Sequence, residues 1–596
     1  MLSRIAYFIS VLLMCYTSFV FYPRYKQQAT EAAIAWDVSG YYWYLPSIFI
    51  YKDLEHQSFK DSILKKYTFS GTDFQQGMQL ENGNYVMKYS SGMAIMFLPF
   101  FTIANLVAVP LGYPKDGFSM PYQLGIQLGG FLISVLGLWY LRKLLLNFYS
   151  DKAVAISLVL LVFGSNYLNY SAIDCGMSHC WLFTIYVFIL LNTHYFYQSF
   201  KIKYAVRIGF LVGLATLTRP TDIISCLIPL LWGMESISLT AIKERIALVI
   251  KQFKGLLLAG MSAALVISIQ LIYWKHVSGH WLVYSYGDQS FSWKHPHAFL
   301  YSFNYRCGWL VYAPMLILAI IGFIPFLKSG KNKVAIIAFC LLNYYIVSAW
   351  DIWWYGGRAM VQSYPAFMFP MTMLVSVALD RKFFLWLITP VALLFIYFNV
   401  WITWHYHKGD LYDSESMSKH YFWRVVGRWS APRSTIVLRD HTDLFEEHPR
   451  DLHLIYQTDF KNDTGSGYRT ETGGARYFLL NKETQESPFY HFAFSGDNAK
   501  WIRVQAEFHC GNKEWDVWKM AQFVVRLVDK NKPGKGIVKE NMIRIYRVLN
   551  DGEKKNISLD MKLPQQHYDS VSISFWNSGS DKELAIDSLK AWDFSK

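Results

Sequence analysis

The chain has 596 residues, of which 53% are hydrophobic, 18% aromatic and only 17% charged, with a formal net charge of +14. This balance excludes both an ordinary soluble enzyme and a chain lying wholly in a bilayer, and fits a membrane protein with a sizeable soluble part. Nucleic acid is not implied, because many basic residues fall in short loops between apolar runs, where lipid headgroups and topology account for them.

The N-terminal apolar run follows Arg4, reaches Phe21 and lacks a small-residue cleavage site, so it is read as an uncleaved first span, 4–22. Just past it stands Trp36-Asp37-Val38-Ser39-Gly40-Tyr41-Tyr42-Trp43-Tyr44-Leu45-Pro46. A carboxylate at a membrane surface is costly as lipid-facing packing and defaults to a functional reading. Asp37 is therefore a candidate general base, or an anchor for a metal or acceptor, with a helix N-cap as the structural alternative. Lys88-Tyr89-Ser90-Ser91-Gly92 then opens an apolar stretch, 92–112, interrupted by Pro99 and Pro110. Lys88 either snorkels to headgroups or holds a phosphate.

A spanning helix needs about 20 apolar residues. The further candidates are 122–141, 153–170, 178–198, 205–218, 222–236, 255–274, 309–327, 334–349, 364–380 and 383–403, giving about 11 spans in all. The pair 205–218 and 222–236 is short enough to be tilted or partly re-entrant. Cys175 and Cys180 flank Met177-Ser178-His179, but a metal or disulfide reading lacks a second ligand cluster.

Thr218-Arg219-Pro220-Thr221-Asp222 interrupts two apolar runs. Arg219 suits a lipid phosphate, which a guanidinium grips bidentately. Asp222 either neutralises Arg219 or shares a substrate site with it. The loop 275–308 carries His276, His280, His295 and His297 at spacings that match no ligand motif, so it reads as a polar gating loop. The densest cluster is Trp350-Asp351-Ile352-Trp353-Trp354-Tyr355-Gly356-Gly357-Arg358. Gly356 and Gly357 permit close backbone approach to a ligand. Arg358 adds a second cation, and Trp350, Trp353 and Trp354 form either a stacking wall for a sugar or an aromatic belt.

If the spans alternate, Arg142-Lys143, Lys201–Arg207, Lys243–Lys254, Lys328–Lys333 and Arg381-Lys382 all fall on one side, the cytoplasm by the positive-inside rule. Asp37, Arg219, 275–308 and 350–362 then face outward, provided 92–112 is interfacial or re-entrant rather than crossing. From about 430 the apolar period falls to two, as in 501–508 and 571–576. Turns such as Ser495-Gly496-Asp497-Asn498 and Lys532-Pro533-Gly534-Lys535-Gly536 separate these runs, which predicts an antiparallel, jelly-roll-like β-sandwich. Trp515, Trp518 and Trp576 are read as its core, with sugar stacking as the alternative if they are exposed. Residues 404–429 form a connector with a helix around Tyr421–Trp429.

Together, Trp36-Asp37 with Tyr41–Pro46, Tyr89–Gly92, Thr218–Pro220 and Trp353–Arg358 resemble the family-C (GT-C) glycosyltransferases, multispanning enzymes that use polyprenyl-phosphate sugars. The likeness is greatest to the branch of protein O-mannosyltransferases and lipid A aminoarabinose transferases, and covers roughly residues 1–403. It implies a polytopic α-helical membrane transferase domain over 1–403, with 23–121 as a first outer loop bearing juxtamembrane helices. A connector, 404–429, and a periplasmic β-sandwich, 430–596, follow, in a bacterial inner-membrane protein. It also implies inverting transfer of a sugar from a polyprenyl-phosphate donor, of undecaprenyl phosphate type, to a glycan, lipid or protein acceptor.

In that scheme Asp37 is catalytic, and Arg219, Arg358 and Lys88 bind the donor phosphate. Tyr41, Tyr42, Asp222, Trp353, Trp354, Gly356 and Gly357 contact substrate. No metal is required, although the carboxylate is able to recruit a divalent ion. The sequence departs from the family where Val38 and Ser39 follow Asp37 in place of an acidic pair, and where Ser90-Ser91 replaces Pro-Pro. Two alternatives remain: a glycan polymerase or ligase using a diphosphate-linked oligosaccharide, with its chemistry in 275–308, and a lipid-glycan flippase, against which stands the lack of repeated halves.

Overall fold

A computed structural model describes residues 1–72, 74–350, 353–414, 416–471, 474–496, 499–532 and 536–595. Asp351 and Ile352 of the Trp-rich cluster, and the turn positions 497–498 and 533–535, lie outside the described residues. The chain separates into two compact units, Met1–Lys408 and Gly409–Lys596.

The first unit is helical. Among the described residues, five helices are long and apolar enough to cross a membrane: Leu2–Lys26, Met120–Leu145, Ser178–Ser199, Phe253–Ser278 and Lys382–Gly409. Local chemistry sets their ends. Met120–Leu145 begins with Pro121 in its first turn and closes with Arg142 and Lys143, which complement the negative end of the helix dipole. Asp151–Gly164 is capped by Ser150, whose hydroxyl accepts from the Ala153 N–H at 3.3 Å.

Two apolar segments are shorter than a span. Gly92–Val107 has 16 residues and contains Pro99; its length of about 24 Å falls short of a hydrocarbon core of about 30 Å. It packs on Met120–Leu145 and Ile202–Thr218. The expected span 222–236 folds instead as a 3-10 turn, Pro220–Cys226, and a five-residue helix, Leu227–Leu231. Pro220 and Pro229 each lack the N–H that a continuous helix needs there. The segment before Gly92 is a folded cap, with helices Trp36–Tyr42, Tyr44–Phe49 and Lys60–Tyr67 and a hairpin of Gly77–Gln79 with Tyr85–Met87. Its aromatics hold it together: Trp43 stacks on Phe59 at 5.6 Å, and Tyr51 stacks on the same ring at 4.0 Å.

The second unit is a β-sandwich. One antiparallel sheet runs Ile537–Arg544, Gln522–Val528, Ser570–Trp576, Tyr490–Ala493. The other runs Lys554–Lys562, Trp501–Cys510, Leu584–Phe594, Arg476–Leu480, Tyr468–Thr470, with His453–Thr458 also paired to Leu584–Phe594. The period-two pattern sends Ile502, Val504, Ala506 and Phe508 inward. Phe508 meets Phe523 and Phe575 of the facing sheet, each at 5.6 Å.

Two expectations need correction. Trp515, Trp518 and Trp576 are not core; they are 74%, 41% and 41% exposed. The first two sit in the loop between strands Trp501–Cys510 and Gln522–Val528, and Trp576 ends a strand whose preceding residue, Phe575, takes the inward position. The helix placed around Tyr421–Trp429 is Lys419–Val425, started by Ser418, whose hydroxyl accepts from the Tyr421 N–H at 3.1 Å.

Candidate functional site

Helix Trp36–Tyr42 begins after an extended Ala35 and carries Asp37 in its first turn, where the helix dipole favours a carboxylate. The Asp37 side chain does not cap the helix. Its Oδ1 accepts from the Tyr89 hydroxyl at 2.7 Å, and its Oδ2 accepts from Arg358 Nη2 at 2.8 Å. These partners lie 52 and 321 positions away in the chain. The ion pair is partly open, with Arg358 24% and Asp37 25% exposed. Burial, and then the Asp37 carboxylate, push the Tyr89 phenol well above its usual value, so it stays protonated and donates. Burial and then Asp37 push Tyr41, which packs edge-on to Tyr89 at 4.6 Å, up to about 12. Burial works against the Arg358 charge, but Asp37 and then Tyr170, Tyr41 and Tyr89 outweigh it and raise this guanidinium above its ordinary value.

Backbone geometry delivers Arg358. Gly356 and Gly357 take φ of +60° and +58°, a left-handed pair that side chains disfavour. A Cβ at Gly356 would lie 2.7 Å from Asn166 Nδ2, and one at Gly357 would lie 2.7 Å from Trp309 Cβ. Asn166 and Tyr301 donate to the Gly356 and Gly357 carbonyls at 2.8 and 2.9 Å. Across the site, a Cβ on Gly92 would meet the Thr218 backbone N at 2.6 Å, so this glycine lets Lys88–Ser91 approach Thr218–Arg219.

Asp37, Tyr41, Lys88, Arg219, Asp222, Trp353, Trp354 and Arg358 all line one cavity of about 390 Å³. Tyr284, Tyr286, Gln289 and Phe291, from the loop 275–308, close another of its walls. The loop is pinned by Ser285, which donates to the Lys88 carbonyl at 2.7 Å, and by the Ser292 N–H, which donates to Ala349 at 2.7 Å. Arg219 Nη1 donates to Gln362 Oε1 at 3.1 Å, and Gln362 Nε2 donates to Asp222 Oδ1 at 2.7 Å. An amide therefore stands between the two charges that the sequence suggested as a direct pair. The Lys88 ammonium lies 5.7 and 5.8 Å from the ring centroids of Tyr89 and Tyr286, and makes no ion pair among the described residues.

Three expected contacts fall outside the cavity lining. Tyr42 is fully buried, and its hydroxyl donates to the Gly117 carbonyl, among Phe101 and Phe118. Gly356 and Gly357 serve close packing of the protein on itself and the aim of Arg358, not approach to a ligand. Sequence reasoning did not single out Gln362, named Tyr89 only as the start of the Tyr89–Gly92 motif and His179 only between Cys175 and Cys180; all three line the cavity. Cys175 and Cys180 are buried free thiols that donate to the Gln127 and Cys175 carbonyls, each at 3.2 Å. Among the described residues, no three His, Cys, Asp or Glu side chains gather as metal ligands. Asp37, with both oxygens engaged by Tyr89 and Arg358, does not by itself form a donor set that fits a divalent ion.

No family model matches the sequence, and no curated protein matches it. Among solved structures, matches include the apo oligosaccharyltransferase of Archaeoglobus fulgidus (11% identity, TM-score 0.40, covering 67% of this chain and 54% of that one). Another is ArnT from Cupriavidus metallidurans bound to undecaprenyl phosphate (13%, TM-score 0.36, 67% and 63%). A third is the arabinosyltransferase EmbB from Mycobacterium smegmatis (10%, TM-score 0.33, 83% and 59%). This chain thus spans between 54% and 63% of the length of these three structures. The functional conclusion rests on the cavity rather than on these likenesses.

Proposed function

We propose that the protein is an integral-membrane glycosyltransferase that moves a sugar from a polyprenyl-phosphate donor to an acceptor hydroxyl at the outer face of a bacterial inner membrane. The observation that carries this reading is a cavity whose lining gathers two carboxylates, Asp37 and Asp222, with three cations, Arg358, Arg219 and Lys88, two of them without a carboxylate partner among the described residues. A donor of this kind already carries its leaving group, a phosphate. Chemistry then needs cations for the departing phosphate and a base for the incoming hydroxyl.

Arg219 and Lys88 draw the phosphate in. Arg358 is shared: it holds Asp37 in the free protein, and the arriving phosphate competes for the same guanidinium. As Arg358 turns to the phosphate, the Asp37 oxygen it held is freed to accept from the acceptor hydroxyl. The acceptor oxygen forms its bond to the anomeric carbon as the bond from that carbon to the phosphate oxygen breaks. The hydroxyl proton passes to Asp37, and the bonding pair leaves with the lipid phosphate. Attack from the face opposite the phosphate inverts the anomeric centre. Tyr89 stays protonated and keeps Asp37 oriented throughout.

The test is Asp37→Asn in membranes supplied with radiolabelled polyprenyl-phosphate sugar. Transfer falls by about 10²–10⁴-fold, the range for loss of a general base. Undiminished transfer at normal expression removes the proposed base and the reading with it.

A further inference from the structure

His179 is the second residue of helix Ser178–Ser199 and is only 3% exposed. It lines the cavity that holds Asp37 and Arg219, with its ring edge-on to Tyr170 at 5.5 Å. The Gln362 side chain stands beside it, yet neither ring nitrogen completes a hydrogen bond within the protein. Asp222, 1% exposed, gives Oδ1 to Gln362, while Oδ2 has the Tyr186 hydroxyl beside it but completes no hydrogen bond. The indole N–H groups of Trp274 and Trp353, on the same cavity's wall, are also buried and unpaired. Buried polar groups are nearly always hydrogen-bonded. Four such side chains opening on one cavity mark a place built for a polar ligand.

The chemistry of this group differs from that of the phosphate cations. A neutral imidazole both donates and accepts, a carboxylate oxygen accepts, and an indole only donates. Neighbouring sugar hydroxyls, each of which donates and accepts, are the natural complement of such a set. The tryptophan faces add apolar surface for the C–H side of a pyranose ring. Beside His179 the guanidiniums of Arg219 and Arg358 disfavour a sugar ammonium, and at Asp222 the carboxylate disfavours a uronic carboxylate, whereas a hydroxyl meets neither penalty.

We propose that His179 and Asp222, which flank Gln362, bind the hydroxyl groups of the donor's sugar and select an uncharged, polyhydroxylated ring. This rests on the glycosyltransferase reading and adds the substrate class to it.

The experiment uses the full-length protein in nanodiscs and measures quenching of its tryptophan fluorescence. The probes are undecaprenyl phosphate, its glucosyl, galactosyl and mannosyl derivatives, and its glucosaminyl derivative. At least one neutral hexosyl lipid binds tenfold or more tightly than both the bare phosphate and the amino sugar. His179→Phe removes that increment and leaves the bare lipid within twofold of wild type. His179→Asn, which keeps a donor and an acceptor, restores part of it and serves as the deciding variant should His179→Phe fail to fold. Equal binding of all probes, tight binding of the amino sugar, or an increment that survives in both variants overturns this inference alone. Failure of every probe to bind overturns the glycosyltransferase reading as well.

Discussion

The two units treat their ions in opposite ways. In Gly409–Lys596, Arg544 and Asp440 are 6% and 4% exposed and pair at 2.8 Å, while Asp440 also accepts the Arg544 backbone N–H at 3.1 Å. Arg547 reaches Asp413 at 2.6 Å, and Arg503 grips Asp560 through two bonds of 2.6 and 2.8 Å. In the cavity of Met1–Lys408, Arg219 has an amide for a partner, Lys88 has aromatic faces, and Asp37 meets Arg358 through one bond. Residence in the helical unit is not the cause, because Arg24 of the same unit is paired with both Asp174 and Glu31. Charges held from several sides keep a fold in register. Arg219 and Lys88, which have no carboxylate partner among the described residues, are the charges that the proposed function gives to a ligand.

The largest effect on this contrast should come from the sandwich. Asp440→Ala leaves the buried Arg544 guanidinium without its counter-charge and costs about 3–5 kcal/mol of stability, the penalty for breaking a buried pair. Near-UV circular dichroism of the detergent-solubilised full-length protein during urea unfolding reads this loss. Sugar transfer per folded molecule should not change. A stability change under 1 kcal/mol, or a loss of transfer without unfolding, would erase the distinction between the two kinds of ion.

Arg358→Gln is the counterpart and comes next in size. The pair it breaks is partly open, so stability should move by no more than about 1 kcal/mol. Transfer should fall by about 10²–10³-fold, as for removal of a preorganised donor to a developing charge. Substantial unfolding with normal transfer in the surviving fraction would reassign Arg358 to the architecture.

The same contrast explains what could be read from the sequence. Asp37, Lys88, Arg219 and Arg358 stood out because an ion beside an apolar run has few structural uses. The strands of the sandwich were legible because a period of two admits little else. Tyr42 misled because successive residues of a helix point about 100° apart, so the neighbour of a cavity-lining Tyr41 faces the aromatic core instead. The glycines at 356 and 357 were read as places where a ligand approaches the backbone; in the fold, Asn166 and Trp309, distant in sequence, pack there. Gln362 was silent because it is one polar residue just before an apolar helix, and His179 was read only as part of the Cys175–Cys180 cluster. The role of each depends on partners that only the fold brings close.

The smallest expected effect concerns Trp515, where the sequence and the structure part most plainly. A tryptophan in a sandwich core costs about 3–5 kcal/mol when cut to alanine. Trp515 instead stands 74% exposed in a loop, with the Lys513 ammonium 3.8 Å from its ring centroid. An exposed cation–π contact contributes about 0.5–1 kcal/mol, so Trp515→Ala should lower the urea stability of the sandwich by less than about 1 kcal/mol. A loss of several kcal/mol would mean that the loop is part of the core after all. A small loss would mean that the large indole face is not maintained for packing.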